Sequence, residues 1–503
     1  MSNRPSAKAN TNVETRHAMF FAGAVAVFVL TMLFGIALRV SMREDIDVVA
    51  RAGISRVLTA GISDFWDTFF LLVIVHAAYL VAIWALWKGF RRSFPAAIAA
   101  IVVAAFAMLP AMPLTSPDAV HLAADVRTFW LHGKWPAEFS GTPAKVDDPV
   151  ANEVRVFRDN PSGYGPLAYA IGGAPIPFVG DDFKANLVGQ KVVAGAFLVL
   201  TALAAGLVAR RLGQNPGFVA ALIGLNPMMI WQYPGDGHND SLMAFFGVVA
   251  IGLVIHESWK WRGGGIVAGL ASALCKYGLM LATPVVAAYW WPKFRNALAA
   301  LAAIGGAGVL FLYVIDAGPL TNGTLGPAGA VVPTTPWGVL ASIIDAEQSA
   351  LDRMIVASYM MFLVGLAVIM MYHPLGTPTN LVRAVGLTMG FFLFVCSPGY
   401  LAWYLIWFVP FAALSGSRWM IAWMIAYSGT AFLPILALNW QFSMRESFNI
   451  GNPVEWSVIA AWFITIAVVY GAWRGRDWAQ FGTTTAKKTT GPRFAPRQKR
   501  AAR

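Results

Sequence analysis

The chain has 503 residues, 58% of them hydrophobic and only 12% charged, with a mean hydropathy of +0.61. That balance excludes a soluble globular enzyme and points to a polytopic membrane protein. Its two cysteines, Cys275 and Cys396, both in apolar surroundings, exclude a disulfide framework or a cysteine-rich metal centre.

Hydrophobic runs long enough to cross a bilayer recur from one end of the chain to the other. Residues 1–17 are a hydrophilic tail carrying Arg4, Lys8 and Arg16. The first run, 18–40, is too long for a signal-peptide core and lacks a small-residue cleavage site, so it reads as an uncleaved span. Residues 43–66, mixed in charge with alternating apolar positions, read as an interfacial amphipathic helix. Spans are expected at 66–87 and 95–113. Directly after them comes Ser116-Pro117-Asp118-Ala119-Val120-His121-Leu122-Ala123-Ala124-Asp125-Val126-Arg127. Ser116 suits an N-cap, Pro117 the first helical position and Asp118 the first turn. A helix starting there puts Asp118, His121 and Asp125 on one face, at the mouth of a span. Solvated carboxylates capping a helix would give the same pattern.

The loop 114–185 is the longest connector and holds Asn160-Pro161-Ser162-Gly163-Tyr164-Gly165-Pro166-Leu167. A weakly apolar, proline-bearing segment follows it and reads as interfacial or re-entrant. Spans at 186–209, 216–233 and 241–257 come next, the last two joined by Gly235-Asp236-Gly237-His238-Asn239-Asp240. A tight turn with Asn239 or Asp240 capping the next helix is an adequate structural account of that connector. Lys276 falls between the runs 264–276 and 278–292, each short for a full crossing. A lysine there is costly and snorkels, pairs or binds an anion. Runs at 296–315, 354–372, 382–396, 400–415, 418–438 and 456–473 bring the total to roughly fourteen. Trp403, Tyr404 and Trp407 suit an aromatic belt as well as a site. The tail 479–503, rich in Thr, Lys, Arg and Pro, reads as disordered.

Charge alternates between connectors. Basic clusters sit at Lys88/Arg91/Arg92, Arg210/Arg211, Lys260/Arg262, Lys293/Arg295 and Arg474/Arg476; acidic ones sit at Asp118/Asp125, Asp147/Asp148, Asp181/Asp182, Asp236/Asp240, Asp345/Glu347 and Glu446/Glu455. This is the positive-inside pattern, with both termini cytoplasmic and the loop 114–185 outward. The formal charge of +12 therefore reports topology and contact with membrane lipids, and no nucleic-acid partner is expected.

Together the motifs resemble the membrane-embedded glycosyltransferases of the GT-C class, and within it the polyprenyl-phosphate-mannose-dependent α-mannosyltransferases. The resemblance covers about residues 95–415. It rests, in order, on Ser116-Pro117-Asp118 with Asp125 and Arg127, on Tyr164-Gly165-Pro166-Leu167, and on His238-Asn239-Asp240 before Ser241-Leu242-Met243. Lys276-Tyr277 and Trp403-Tyr404-Leu405-Ile406-Trp407-Phe408-Val409-Pro410 complete it. It implies an all-α, GT-C-like bundle of roughly 12–14 transmembrane helices with interfacial helices in the outer loop. The glycosyltransferase domain would span 18–478, in the plasma membrane with its site on the periplasmic or extracellular side.

The resemblance further implies an inverting transfer of a sugar, foremost mannose, from a polyprenyl-phosphate donor to a hydroxyl of a glycolipid, glycan or protein. Asp118 is implied as the catalytic base. Arg127, Lys276 and His238 are the cations or donors expected to meet phosphate oxygens. Asp125 is expected to orient Arg127 or a sugar hydroxyl, and His121, Tyr164, Asn239, Asp240, Trp403 and Tyr404 to complete the substrate site. One position departs from the family: a second acidic residue often precedes its loop aspartate, and here that place is Pro117. A paired-carboxylate metal site is therefore not indicated, and no cofactor is expected. The rival class is a secondary transporter using Lys276 and Asp240 in broken helices, but no paired repeat is visible and the charged motifs gather at one face.

Overall fold

The computed structural model describes residues 7–37, 62–90, 92–113, 118–136, 146–154, 162–314, 334–399, 401–448 and 452–474. Among them every regular element is helical and no strand occurs, so the chain is an all-α polytopic membrane protein. The interfacial helix expected at 43–66 lies largely outside the described residues, as do Ser116, Pro117 and the tail 479–503.

Helix α1 (Ala7–Leu30) begins inside the stretch expected to be a tail, and packs against α2 (Ile62–Lys88). Then come α3 (Ser93–Met108), α4 (Asp118–His132) and the short α5 (Pro166–Gly172). The long α6 (Phe183–Arg211) is the central post: it touches α3, α4, α5, α7 (Pro216–Gly224) and α8 (Asp240–Val254). Beyond lie α9 (Trp259–Cys275), α10 (Thr283–Trp290), α11 (Arg295–Val314), α12 (Gln348–Tyr372) and α13 (Pro378–Phe391). The chain closes with α14 (Val409–Leu414), α15 (Arg418–Thr430), α16 (Phe432–Phe448) and α17 (Pro453–Arg474).

Seven stretches among the described residues are long and apolar enough to cross a membrane: Asn12–Gly35, Phe65–Lys88, Phe183–Arg211, Gln348–Tyr372, Pro378–Cys396, Arg418–Leu438 and Pro453–Arg474. Several other expected spans are shorter or interrupted, and the interruptions have local causes. After α7, Asn226 caps a new start by accepting from the Met228 N–H at 3.1 Å, and Pro227 takes the first helical position, where its missing N–H costs nothing. α9 stops at Cys275 because Lys276 is extended (φ −166°), and a 3₁₀ turn, Tyr277–Ala282, leads into α10. The run 400–415 divides into a 3₁₀ turn, Ala402–Trp407, and α14, again with proline near its start.

Contacts sort the connectors into two ends. At one, Asn215 donates to the Leu86 carbonyl at 2.8 Å, Gln214 to Leu414 at 2.7 Å, and Arg383 to Ser415 at 2.8 Å. This end holds Lys88, Arg210, Arg211 and Arg418. At the other end α4, the 235–240 connector, the break at Lys276 and the turn Ala402–Trp407 come together. The loop region there has a small core of its own, in which Ala119, Val120, Ala123 and Leu187 pack on Val146, Val150 and Val154.

Candidate active site

Two linked clusters form this end. The first is built on Asp240, the opening residue of α8. Asn239 stands at the N-cap position, yet its side chain makes no capping hydrogen bond, and both its amide atoms are buried without a protein partner. Asp240 does not cap either. Its fully buried carboxylate faces the Lys276 ammonium at 3.0 and 3.1 Å and accepts from the Trp407 indole N–H at 2.8 Å. The capping account of this connector therefore fails.

Lys276 reaches Asp240 because α9 breaks beneath it. The ammonium lies 4.7 Å from the Tyr164 ring and 4.6 Å from the Tyr404 ring, so two aromatic faces enclose the ion pair. Tyr164 is fixed there by its neighbour: the Gly165 N–H donates at 2.9 Å to the Cys275 carbonyl. A Cβ on Gly165 would lie 2.1 Å from the Leu274 carbonyl oxygen, so only glycine allows this approach. Burial, and then the negative charges of Asp118 and Asp240, push the Tyr164 hydroxyl well above its ordinary range.

The second cluster is built on His238. Its ring is fully buried and stacks on Trp403, with centroids 4.1 Å apart and planes 16° from parallel. Tyr233 holds that platform by donating to the Trp403 carbonyl at 2.6 Å. His238 Nδ1 stands 3.5 Å from the Asp118 carboxylate, which is 29% exposed. At that distance the two are in polar contact just outside good hydrogen-bond range. Asp118 is thus the open group, with His238 and Trp403 behind it.

Lys191 of α6 anchors the connector from below. Its ammonium is fully buried and donates to the carbonyls of Met108 (3.0 Å), Leu109 (2.8 Å) and Ala111 at the end of α3. Gly237, with φ +79°, passes over it so closely that a Cβ would sit 3.3 Å from Lys191 Cγ and 3.0 Å from Ala119. The sequence reading missed Lys191, although a lysine inside an apolar run was the same signal that singled out Lys276.

The other two charged residues of α4 lie elsewhere. Arg127 is fully engaged: Nε donates to both Asp148 oxygens at 2.9 and 3.0 Å, and the terminal nitrogens to the Gly180 carbonyl at 2.6 Å and Asp181 at 2.5 Å. The expectation that Arg127 meets a phosphate is corrected accordingly, since two carboxylates already neutralise its charge. Asp125 does not orient it either, because residues two apart on a helix point different ways. Burial disfavours the Asp148 carboxylate, but Arg127, the Ala151 N–H and His132 together hold it below the usual carboxylate range. Asp125 is buried and raised to about 7, by burial first, against a hydrogen bond from Ser162 and with the charge of Asp118 adding to the rise. His121, one turn beyond Asp118, is half-buried. Among the described residues no three His, Cys, Asp or Glu side chains are grouped to hold a metal ion.

Residues 19–292 match the family model described as "Alpha-(1->6)-mannopyranosyltransferase, N-terminal domain". Alpha-(1->6)-mannopyranosyltransferase A of Corynebacterium glutamicum is 32% identical over 131 residues, which is 26% of this chain and 26% of that protein. The match thus spans about a quarter of that relative's length. No solved structure matches. Both clusters lie within the matched region except Trp403, Tyr404 and Trp407, which follow it.

Proposed function

The chain belongs to the alpha-(1->6)-mannopyranosyltransferase family, and on that premise we propose that it transfers mannose, with inversion, from a polyprenyl-phosphate donor to an acceptor hydroxyl. The acceptor is a glycolipid, a glycan or a protein. The observation that carries this reading is the pairing of an open carboxylate, Asp118, with an aromatic-walled cation, Lys276, at one end of a membrane bundle.

In this mechanism Asp118 takes the acceptor's proton as its oxygen attacks the anomeric carbon. The bond from that carbon to the phosphate oxygen breaks, and polyprenyl phosphate leaves with the electron pair. A mannosyl phosphate already carries a good leaving group, so base, cation and shape suffice. Lys276 meets the phosphate, with Asp240 and Trp407 holding it in place. His238, stacked on Trp403, orients Asp118. The amide of Asn239, buried without a protein partner, reads sugar hydroxyls, and Tyr164 and Tyr404 face the sugar or the first lipid units. Arg127 clasps the loop that carries Asp148 and Asp181. The site faces outward from the plasma membrane, where a polyprenyl-linked sugar is presented, and both termini are cytoplasmic.

The deciding experiment uses membranes holding Asp118→Asn at normal abundance, supplied with radiolabelled polyprenyl-phosphate mannose. Loss of a general base should lower transfer by about 10²–10⁴-fold. Asparagine keeps the shape and can still accept from backbone N–H groups at a helix start, so structural loss should be small. Near-normal transfer would remove Asp118 from the chemistry.

A further inference from the structure

Tyr164, whose ring lies 4.7 Å from the Lys276 ammonium, stands in the irregular stretch before α5. A ring on such a stretch keeps its place only if the backbone on both sides is held. On one side the bond from the Gly165 N–H to the Cys275 carbonyl does this. The other side, toward Ser162, leads to α4.

α5 is docked closely on α4. The Trp130 indole N–H donates to the Tyr169 carbonyl at 3.0 Å, and Phe129 and Trp135 pack on the Tyr169 ring with centroids 5.9 and 5.6 Å away. A Cβ on Gly172 would crowd Val126 at 2.9 Å. Leu122 and Val126 form a small apolar cluster with Tyr169, and Tyr164 packs against it. Tyr169 is fully buried as a result. Its hydroxyl is in reach of the Ser162 hydroxyl and of the Tyr164 backbone, and the Ser162 hydroxyl in turn of the Asp125 carboxyl. Neither hydroxyl has a further protein partner among the described residues, so both depend on this knot, and Asp125 is its anchor on the helix.

We propose that Asp125 is a positioning residue for the donor site, holding Tyr164 against Lys276 through Ser162 and Tyr169. The proposal rests on the reading of Lys276 as the cation that meets the donor phosphate. Without the carboxyl, two buried hydroxyls lose their anchor, a loss that favours release of the stretch 162–164 toward water. The ring then leaves the ammonium, which loses one of the aromatic faces that enclose it. In this role Asp125 touches neither sugar nor phosphate. One rigid helix thereby carries the base Asp118 and also sets the wall of the phosphate cation, so the spacing between the two is fixed by α4 itself.

The test compares the full-length parent, Asp125→Leu, Asp125→Asn and Tyr164→Leu in membranes by two readouts. One is transfer kinetics with donor and acceptor varied separately. The other is acetylation of Lys276 by acetic anhydride, followed by mass spectrometry, with the buried Lys191 as control for general unfolding. Asp125→Leu should raise the donor KM about three- to thirtyfold, the span of a lost cation–π contact, and leave the acceptor KM near its parent value. It should speed acetylation of Lys276 and leave Lys191 protected. Asp125→Asn keeps the shape with a donor and an acceptor, and should restore most of both readouts. In a Tyr164→Leu background, Asp125→Leu should change neither further. Ser162→Ala should give the same pattern more weakly, and covers the case in which Asp125→Leu fails to fold. Unchanged Lys276 acetylation in the folded variants, joint exposure of Lys276 and Lys191, or additive effects in the double variant would overturn the proposal. If the parent transfers nothing from polyprenyl-phosphate mannose, the donor reading fails, and the acetylation rates still decide whether Asp125 holds Tyr164 in place.

Discussion

Asp118 and Asp125 stand two turns apart on α4, yet their surroundings separate them. Asp118 is partly open and touches His238, whereas Asp125 is buried and raised to about 7. Environments that divide two carboxylates in this way commonly assign them different uses. An unfolded aspartate titrates near 3.8, so Asp125 stays protonated in the fold over a range where the unfolded chain has lost its proton. Its contribution to stability is fully present below about pH 4 and is lost as pH rises through about 7. Melting curves between pH 5 and 8 should therefore slope downward in the parent protein and flatten in Asp125→Asn; parallel slopes would refute this. Lys276→Ala should raise the KM for donor by one to two decades, from a lost charge-assisted contact of about 1.5–3 kcal/mol, and leave the acceptor KM near its parent value. Kinetics with the two substrates varied separately would check it, and an equal rise in both would mean a general loss of structure.

The elements of the loop region are tied by one arginine. Arg127 joins α4 to Asp148 on one side and to Gly180 and Asp181 on the other, with side-chain exposures of 2% and 3% for Arg127 and Asp148. Removing one member of such a buried pair strands a charge and costs about 3–5 kcal/mol. Arg127→Gln should thus loosen the segments 146–154 and 180–183, seen as faster amide exchange there and earlier proteolysis, while α6 below keeps its protection. Uniform loosening of the whole chain would contradict a local clasp. The residue types of the site were legible in the sequence, because a carboxylate, a histidine and a lysine beside apolar runs are conspicuous. Their pairings were not. Asp240 meets Lys276 and Trp407 across 36 and 167 residues, and Arg127 meets carboxylates from two separate loop segments. No spacing encodes contacts of that range. Helix breaks were hard to read for a related reason: hydropathy averages over a window, and Asn226 or Lys276 changes one position in it.

Across the whole molecule, composition already pointed to a polytopic membrane protein, and the charged connectors divide between two physically distinct ends. Lys88, Arg211 and Arg418 gather at one, and Asp118, Asp148 and Asp240 at the other. Single cysteines placed at Gly89 and at Asp147 should therefore react with a membrane-impermeant maleimide from opposite sides. The native Cys275 and Cys396 are buried and should give little background. Labelling of both positions from one side would reject the topology and with it an outward-facing site. The deepest link between the ends and the core is Lys191, and it bears on how the protein is made. In a bilayer, α6 alone would carry an unpaired ammonium within its apolar run, a cost bounded by the ~2.5–3.5 kcal/mol that insertion scales give at a helix centre. The last carbonyls of α3 have no partner within their own helix. Synthesis proceeds from the N terminus, so α3 is already delivered when α6 leaves the ribosome. Each helix then completes the other on arrival, and the order of the two along the chain makes α3 the template on which α6 can be inserted.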